Sequence, residues 1–160
     1  MNKRYFSNSG ETGHIVEEEI LGTCHVQWDG KMYHRYMESM ELARKCQSGD
    51  PSAPILDGAR KLHVAVATQM KISDRRSLQL YSAVGTPLDR FHGVDGWFEF
   101  QGVVITFDLT LSTQKDVAKA DVVIHAQELE DNFEFAARDV ADAFYWATKA
   151  PVRKAPDVFV

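Results

Sequence analysis

Two cysteines in 160 residues are too few to staple a fold. Cys24 and Cys46 can pair with each other, but they make no disulfide scaffold, and a reducing compartment is the default expectation. No run approaches the roughly 18 consecutive apolar residues that a membrane span requires. The opening MNKRYFSNSGETG lacks the apolar core of a signal peptide. The chain therefore reads as an intracellular, cytoplasmic protein with no membrane partner. Positive charge is scarce too: the formal net charge is −5, which excludes a surface that grips nucleic acid all over but leaves room for a local basic patch. There is no internal repeat and no low-complexity segment. Gly-rich phosphate loop, nucleophile elbow, CxxC pair and HExxH helix are all absent, and with them the simplest signatures of nucleotide, serine-hydrolase, dithiol-redox and zinc-protease chemistry.

What is present is the composition of one ordinary domain, 44% hydrophobic and 26% charged, which is globular and not disordered. Residues 1–13 read as a mobile arm, 14–150 as a single domain, and 151–160 as a tail. Within the domain, TCHVQW alternates loosely, as an edge strand does. HRYMESMELARKC places Tyr33, Tyr36, Met37, Met40 and Ala43 on one helical face. LDGARKLHVAVATQMK is a second helix, with Leu56, Ala59, Leu62, His63, Val66 and Met70 at helical spacing. SLQLYSAV is a strand, GTPLDRFHG a connection full of breakers, and DVVIHA a short buried strand. The last helix runs through LEDNFEFAARDVADAFYWATKA, with Leu129, Phe133, Ala136, Ala137, Val140, Phe144 and Ala147 in one stripe. This mixed order predicts an α/β fold, a small mixed sheet covered by helices.

The informative stretch is HGVDGWFEFQGVVITFDLT, residues 92–110. If Gln101-Gly102 is a two-residue turn, Phe100 faces Val103, Phe98 faces Ile105, and Asp95 lies opposite Asp108. One face of the hairpin then carries Phe98, Phe100, Val103, Ile105, Phe107 and Leu109 as core. The other carries Asp95, Trp97, Glu99, Val104, Thr106, Asp108 and Thr110 toward water. Opposed carboxylates with Cβ atoms about 4.5–5.5 Å apart repel. A hard divalent cation such as Mg²⁺ reverses that sign; without one, a carboxyl is expected to hold a proton. Two simply hydrated aspartates are the plain alternative.

An aspartate opening one strand, a tight turn, then a hydrophobic strand ending in an acid, a spacer and a polar residue resembles the PD-(D/E)XK superfamily of restriction-endonuclease-like nucleases. The resemblance covers residues 92–110 in motif and 32–148 in element order. It implies a restriction-endonuclease-like fold with helices on both sides of the sheet, and Mg²⁺- or Mn²⁺-dependent hydrolysis of phosphodiester bonds, with DNA as the expected substrate. Asp95 and Asp108 become the metal ligands, with Glu41 or Glu38 as the glutamate that a first helix contributes. The superfamily's lysine position is Thr110 here, so Lys115 or His92 is left to steer water. Arg75, Arg76 and Trp97 are candidates for meeting phosphate and base. A homodimer follows by analogy with enzymes that cut two strands.

Other residues read more plainly. Asp89 after Pro87 is a turn residue before it is a ligand. Glu17, Glu18 and Glu19 form a solvated charge run. Cys24, His25, His34 and Cys46 fit no zinc knuckle, and His63 and His125 sit in apolar runs as core histidines. The missing motif lysine favours a second reading, a non-catalytic member of the same fold that binds nucleic acid or protein. The net charge and acidic last helix support a third, an acidic protein-interaction module.

Overall fold

The Gln101-Gly102 turn sets the register of the sheet. Gln101 and Gly102 have φ of 51° and 79°, the paired left-handed conformation that matches the twist of a two-residue hairpin. The turn joins β2 (Gly96–Phe100) to β3 (Val103–Thr110). Phe100 pairs with Val103, Phe98 with Ile105 and Gly96 with Phe107, as the spacing predicts. Glutamine is a poor occupant of a left-handed position. Gln101→Asn should therefore raise stability by about 0.5–1 kcal/mol, read as a higher urea midpoint with an unchanged m-value.

The structure is a computed structural model that describes residues 10–111 and 119–149. Helices α1 (Gly10–Leu21), α2 (Tyr36–Lys45) and α3 (Asp57–Gln69) come first. A single 3-10 turn at Arg75–Ser77 then leads into β1 (Gln79–Ser82). A short helix, α4 (Pro87–His92), precedes the hairpin. After it come β4 (Val122–His125), α5 (Ala126–Asp131) and α6 (Glu134–Lys149). The strands lie in the order β1-β2-β3-β4; β1 with β2 and β2 with β3 pair antiparallel, whereas β4 is parallel to β3. The α/β class with a mixed sheet is thus as the sequence predicts. Asp121 pins the last register, its carboxylate accepting from both the N–H and the hydroxyl of Thr106 at 2.9 Å. Among the described residues no helix is long and apolar enough to cross a membrane.

Both faces of the sheet are covered. Leu80, Phe98, Ile105, Phe107, Leu109, Val122 and Ile124 pack with apolar side chains of α1, α3 and α6 in one cluster. On the other face Trp97 joins Met40, Ala43, Leu88 and Val94 in a second. The expectation of a water-facing polar side is corrected here. Trp97 is fully buried, stacked on Tyr81 at 4.7 Å, with the Arg44 guanidinium over both rings. Arg44 also grips Glu99 with two contacts, of 2.6 and 2.8 Å.

Four further differences have local causes. TCHVQW pairs with no strand; α1 occupies 10–21, including the last four residues expected in the arm, and Gly22 at φ +77° ends it. In α2 the buried side is Ser39, Met40 and Ala43, leaving Tyr33, Tyr36 and Met37 exposed. GTPLDRFHG is a capped helix: the Thr86 hydroxyl accepts from Leu88 N–H, Pro87 fills the first turn, and Gly93 closes it in the left-handed conformation. The last helix is broken at Asn132, whose side chain accepts from Glu134 N–H at 2.7 Å and starts α6 afresh. His63 is a core histidine bonded to the Leu78 carbonyl at 2.8 Å.

Candidate metal site

Asp95 ends up where β2 begins, and its backbone extends the sheet on both sides. Its N–H donates to the Phe107 carbonyl at 2.9 Å, and its carbonyl accepts from Ala83 N–H at 2.8 Å. Its side chain then takes over from the strand: Oδ2 accepts from Leu109 N–H at 2.7 Å, and the carboxyl hydrogen-bonds to that of Asp108. The two aspartates do meet across the hairpin. They meet under cover, however, 3% and 7% exposed, because α2 and α4 lie over this face.

Two more acids converge on the same point. Glu17 and Asp89, both half-buried, each bring a carboxylate oxygen that lies with one of Asp95 inside a span of 4.8 Å. Glu17 comes from α1, where Val16, Ile20 and Leu21 are buried and fix the helix rotation. Asp89 comes from the third position of α4. There it accepts from Gly85 N–H at 3.1 Å, one residue ahead of the Thr86 N-cap, so it ties down the start of the helix and belongs to the cluster at once. Glu17 is not simply part of a solvated charge run.

The electrostatic consequence falls on Asp95. Burial, then the charges of Glu17 and Asp89, then the bond to Asp108 push its carboxyl up to about 10, against the lowering pull of Leu109 N–H. Every side chain named in that balance is a carboxyl. A group so placed is neutral at pH 7 and shares its proton with Asp108. Two oxygens bound to one ion at 2.1–2.4 Å stand at most about 4.8 Å apart. The span of Glu17, Asp89 and Asp95 thus fits a cation, and an all-oxygen set fits a hard one.

Other expected site residues fall elsewhere. Glu41 is exposed and pairs with Lys45 at 3.8 Å, and Glu38 pairs with His34; the helical glutamate that does approach Asp95 is Glu17 of α1. His92 puts Nε2 2.8 Å from the His34 carbonyl and lies edge-on to Tyr36, so an aromatic nest sets its orientation. Arg75 and Arg76 precede β1, whose far end, Ser82, pairs with Gly96. The strand alone puts roughly 10 Å between these arginines and Asp95. They line a shallow groove with Arg60, Lys61 and Pro54 instead. Trp97 is too deeply covered to stack a base. Thr110 is half-buried and paired with His125. Lys115 and the tail from 151 lie outside the described residues. Among the described residues the cysteines and histidines form no metal-binding group.

The signal for Glu17 was the pair Val16 and Ile20, four apart, with the acid at the edge of their stripe. Comparisons with protein-family models, with characterised proteins and with solved structures found no match to this chain.

Proposed function

We propose that this chain is a Mg²⁺- or Mn²⁺-dependent nuclease that hydrolyses phosphodiester bonds, with DNA as its substrate. The observation that carries the reading is the convergence of the Glu17, Asp89 and Asp95 carboxylates, from α1, α4 and the residue before β2, on one point; Asp108, an expected ligand, lies outside that group and hydrogen-bonds to Asp95. Like charges so gathered are tolerated only with protons or a cation. The hairpin that sets Asp95 against Asp108 supports the reading, as does Glu17 reaching Asp95 from α1.

When bound, the cation supplies positive charge to the scissile phosphate and acidifies a water. Asp95 would hold the cation from the sheet and Glu17 and Asp89 from the helices, with Asp108 behind Asp95 as its hydrogen-bond partner. Asp95 must release its proton as the site fills, so loading releases acid and strengthens with pH. The Leu109 N–H holds the Asp95 side chain in place before and after that release. Incubating purified protein with DNA and Mg²⁺, beside an Asp108→Ala variant, tests the proposal. Cleavage should fall by about 10³-fold or more in the variant; equal cleavage by both, or none by either, removes the activity.

Thr110 in the lysine position favours a second reading, a non-catalytic member of the same fold that binds nucleic acid or protein. Retention of DNA by protein that neither binds Mg²⁺ nor cleaves selects that reading.

A further inference from the structure

Cys24 and Cys46 meet where the chain leaving α1 crosses the ends of α2 and β1. Cys24 is 4% exposed and donates to the Ser82 carbonyl at 3.1 Å. Gln47 clamps the place. Its amide donates to the Ala43 carbonyl at 2.6 Å, to the Ser82 carbonyl at 2.7 Å and toward Cys24 Sγ at 3.4 Å. Its Oε1 accepts from Ser82 N–H at 2.9 Å. Cys46, the neighbour of Gln47 in the chain, is half-buried, and its thiol lies 3.2 Å from the Ala43 carbonyl. The Gln47 amide thus touches Cys24 Sγ and the same Ala43 carbonyl that Cys46 Sγ meets, which gathers the two thiols into one cluster, where each acts on the titration of the other.

We propose that Cys24 and Cys46 form an oxidisable dithiol that closes to a reversible disulfide on meeting a hydroperoxide or a small-molecule disulfide. The pair is asymmetric in the way such chemistry needs. Cys46 is the more accessible, and the neighbouring Cys24 holds its thiol below the ordinary value. Cys24 is enclosed, and the neighbouring Cys46, then burial, push its thiol up. Cys46 is therefore the attacking sulfur and Cys24 the resolving one.

With a hydroperoxide, the Cys46 thiolate attacks the terminal oxygen, the O–O bond breaks, and the leaving alkoxide or hydroxide takes up a proton. Cys24 then attacks the sulfenic sulfur of Cys46, the S–O bond breaks, and water leaves with the Cys24 proton. The two sulfurs lose two electrons in total and the peroxide gains them. With a small disulfide, Cys46 displaces one thiolate and Cys24 the second, and the disulfide is reduced to two thiols. The product ties the segment after α1 to the end of α2. Closing that loop should raise Tm by roughly 5–10 °C.

The full-length protein, treated with limiting hydrogen peroxide or oxidised glutathione and then alkylated under denaturing conditions, tests this by intact mass. The wild type should lose both alkylatable thiols together, become about 2 Da lighter before alkylation, and be restored by dithiothreitol. Cys24→Ser should accumulate a sulfenic acid or glutathione adduct at Cys46. Cys46→Ser should react about tenfold more slowly or less. Separate adducts on both wild-type thiols, a disulfide between two molecules, or a Cys46→Ser variant as reactive as the wild type overturns the proposal. The wild-type masses decide the matter even where a variant fails to fold.

Discussion

Asp95→Asn should make the metal-free protein more stable, by about 2–4 kcal/mol near neutral pH, or roughly 5–10 °C in Tm. The unfolded chain ionises Asp95 near 3.8, whereas the folded chain holds its proton up to about 10. Between those values folding takes up a proton. The contribution of this group is complete below pH 4 and is lost as pH rises toward 10, at up to about 1.4 kcal/mol per pH unit. Asparagine keeps the shape and never ionises. Its oxygen accepts from Leu109 N–H as Asp95 Oδ2 does, and its amide donates to Asp108 in place of the shared proton.

Thermal melts from pH 5 to pH 9 check this directly. The wild type should lose stability across that range and regain it on adding Mg²⁺ or Mn²⁺, more so at higher pH. The variant should be nearly flat and should gain little from either cation. A variant that melts lower than the wild type, or retains the full pH slope, contradicts the account of Asp95. A wild type that is indifferent to every divalent cation contradicts the metal site but leaves the shared proton standing.

The second large effect is expected next door. A Cβ on Gly96 would stand 2.6 Å from Cζ of Phe107 and 2.7 Å from the Tyr81 carbonyl oxygen. The first neighbour is a core ring with no room to retreat, and the second is backbone. Gly96→Ala should cost about 3 kcal/mol or more, read as a lower denaturant midpoint, because the ring or the strand pairing must shift. The shift would displace the residue beside it, Asp95, so cation-dependent stabilisation should weaken in the variant as well. A Gly96→Ala protein as stable as the wild type would mean that β1 and β2 separate here at little cost.

Legibility in the sequence divided along clear physical lines. The hairpin register was readable because side-chain alternation and a two-residue turn each give the same pairing, and an error of one residue would have exposed Phe98, Ile105 and Phe107. That Asp95 and Asp108 face one another followed from the same logic. Their burial did not, because coverage is decided by helices remote in sequence. The small contact residues Ser39 and Ala43 of α2 carry little hydrophobic signal beside the larger Tyr33, Tyr36 and Met37, which stay outside. Asp89 was hidden by the same residues that place it: Thr86, Pro87 and Gly93 look like breakers in a row, yet each is a cap at one end of a two-turn helix. Glu17 was hidden because the apolar stripe of α1 is short. The burial of Trp97 was hidden because nothing local says that Arg44 will lie over it.

The docking of α1 has a consequence of its own. This helix presses three apolar residues onto the domain and, beside them, the Glu17 carboxylate against two other carboxyls, Asp89 and Asp95. The first contact pulls the helix in and the second pushes it away. Neutralising the acids, by a proton or by the proposed cation, should tip the balance toward docking, so that α1 would act as a clasp fastened by what it helps to hold. Protease sensitivity near residues 20–25 should fall when the acids are neutralised and rise in alkaline, metal-free solution.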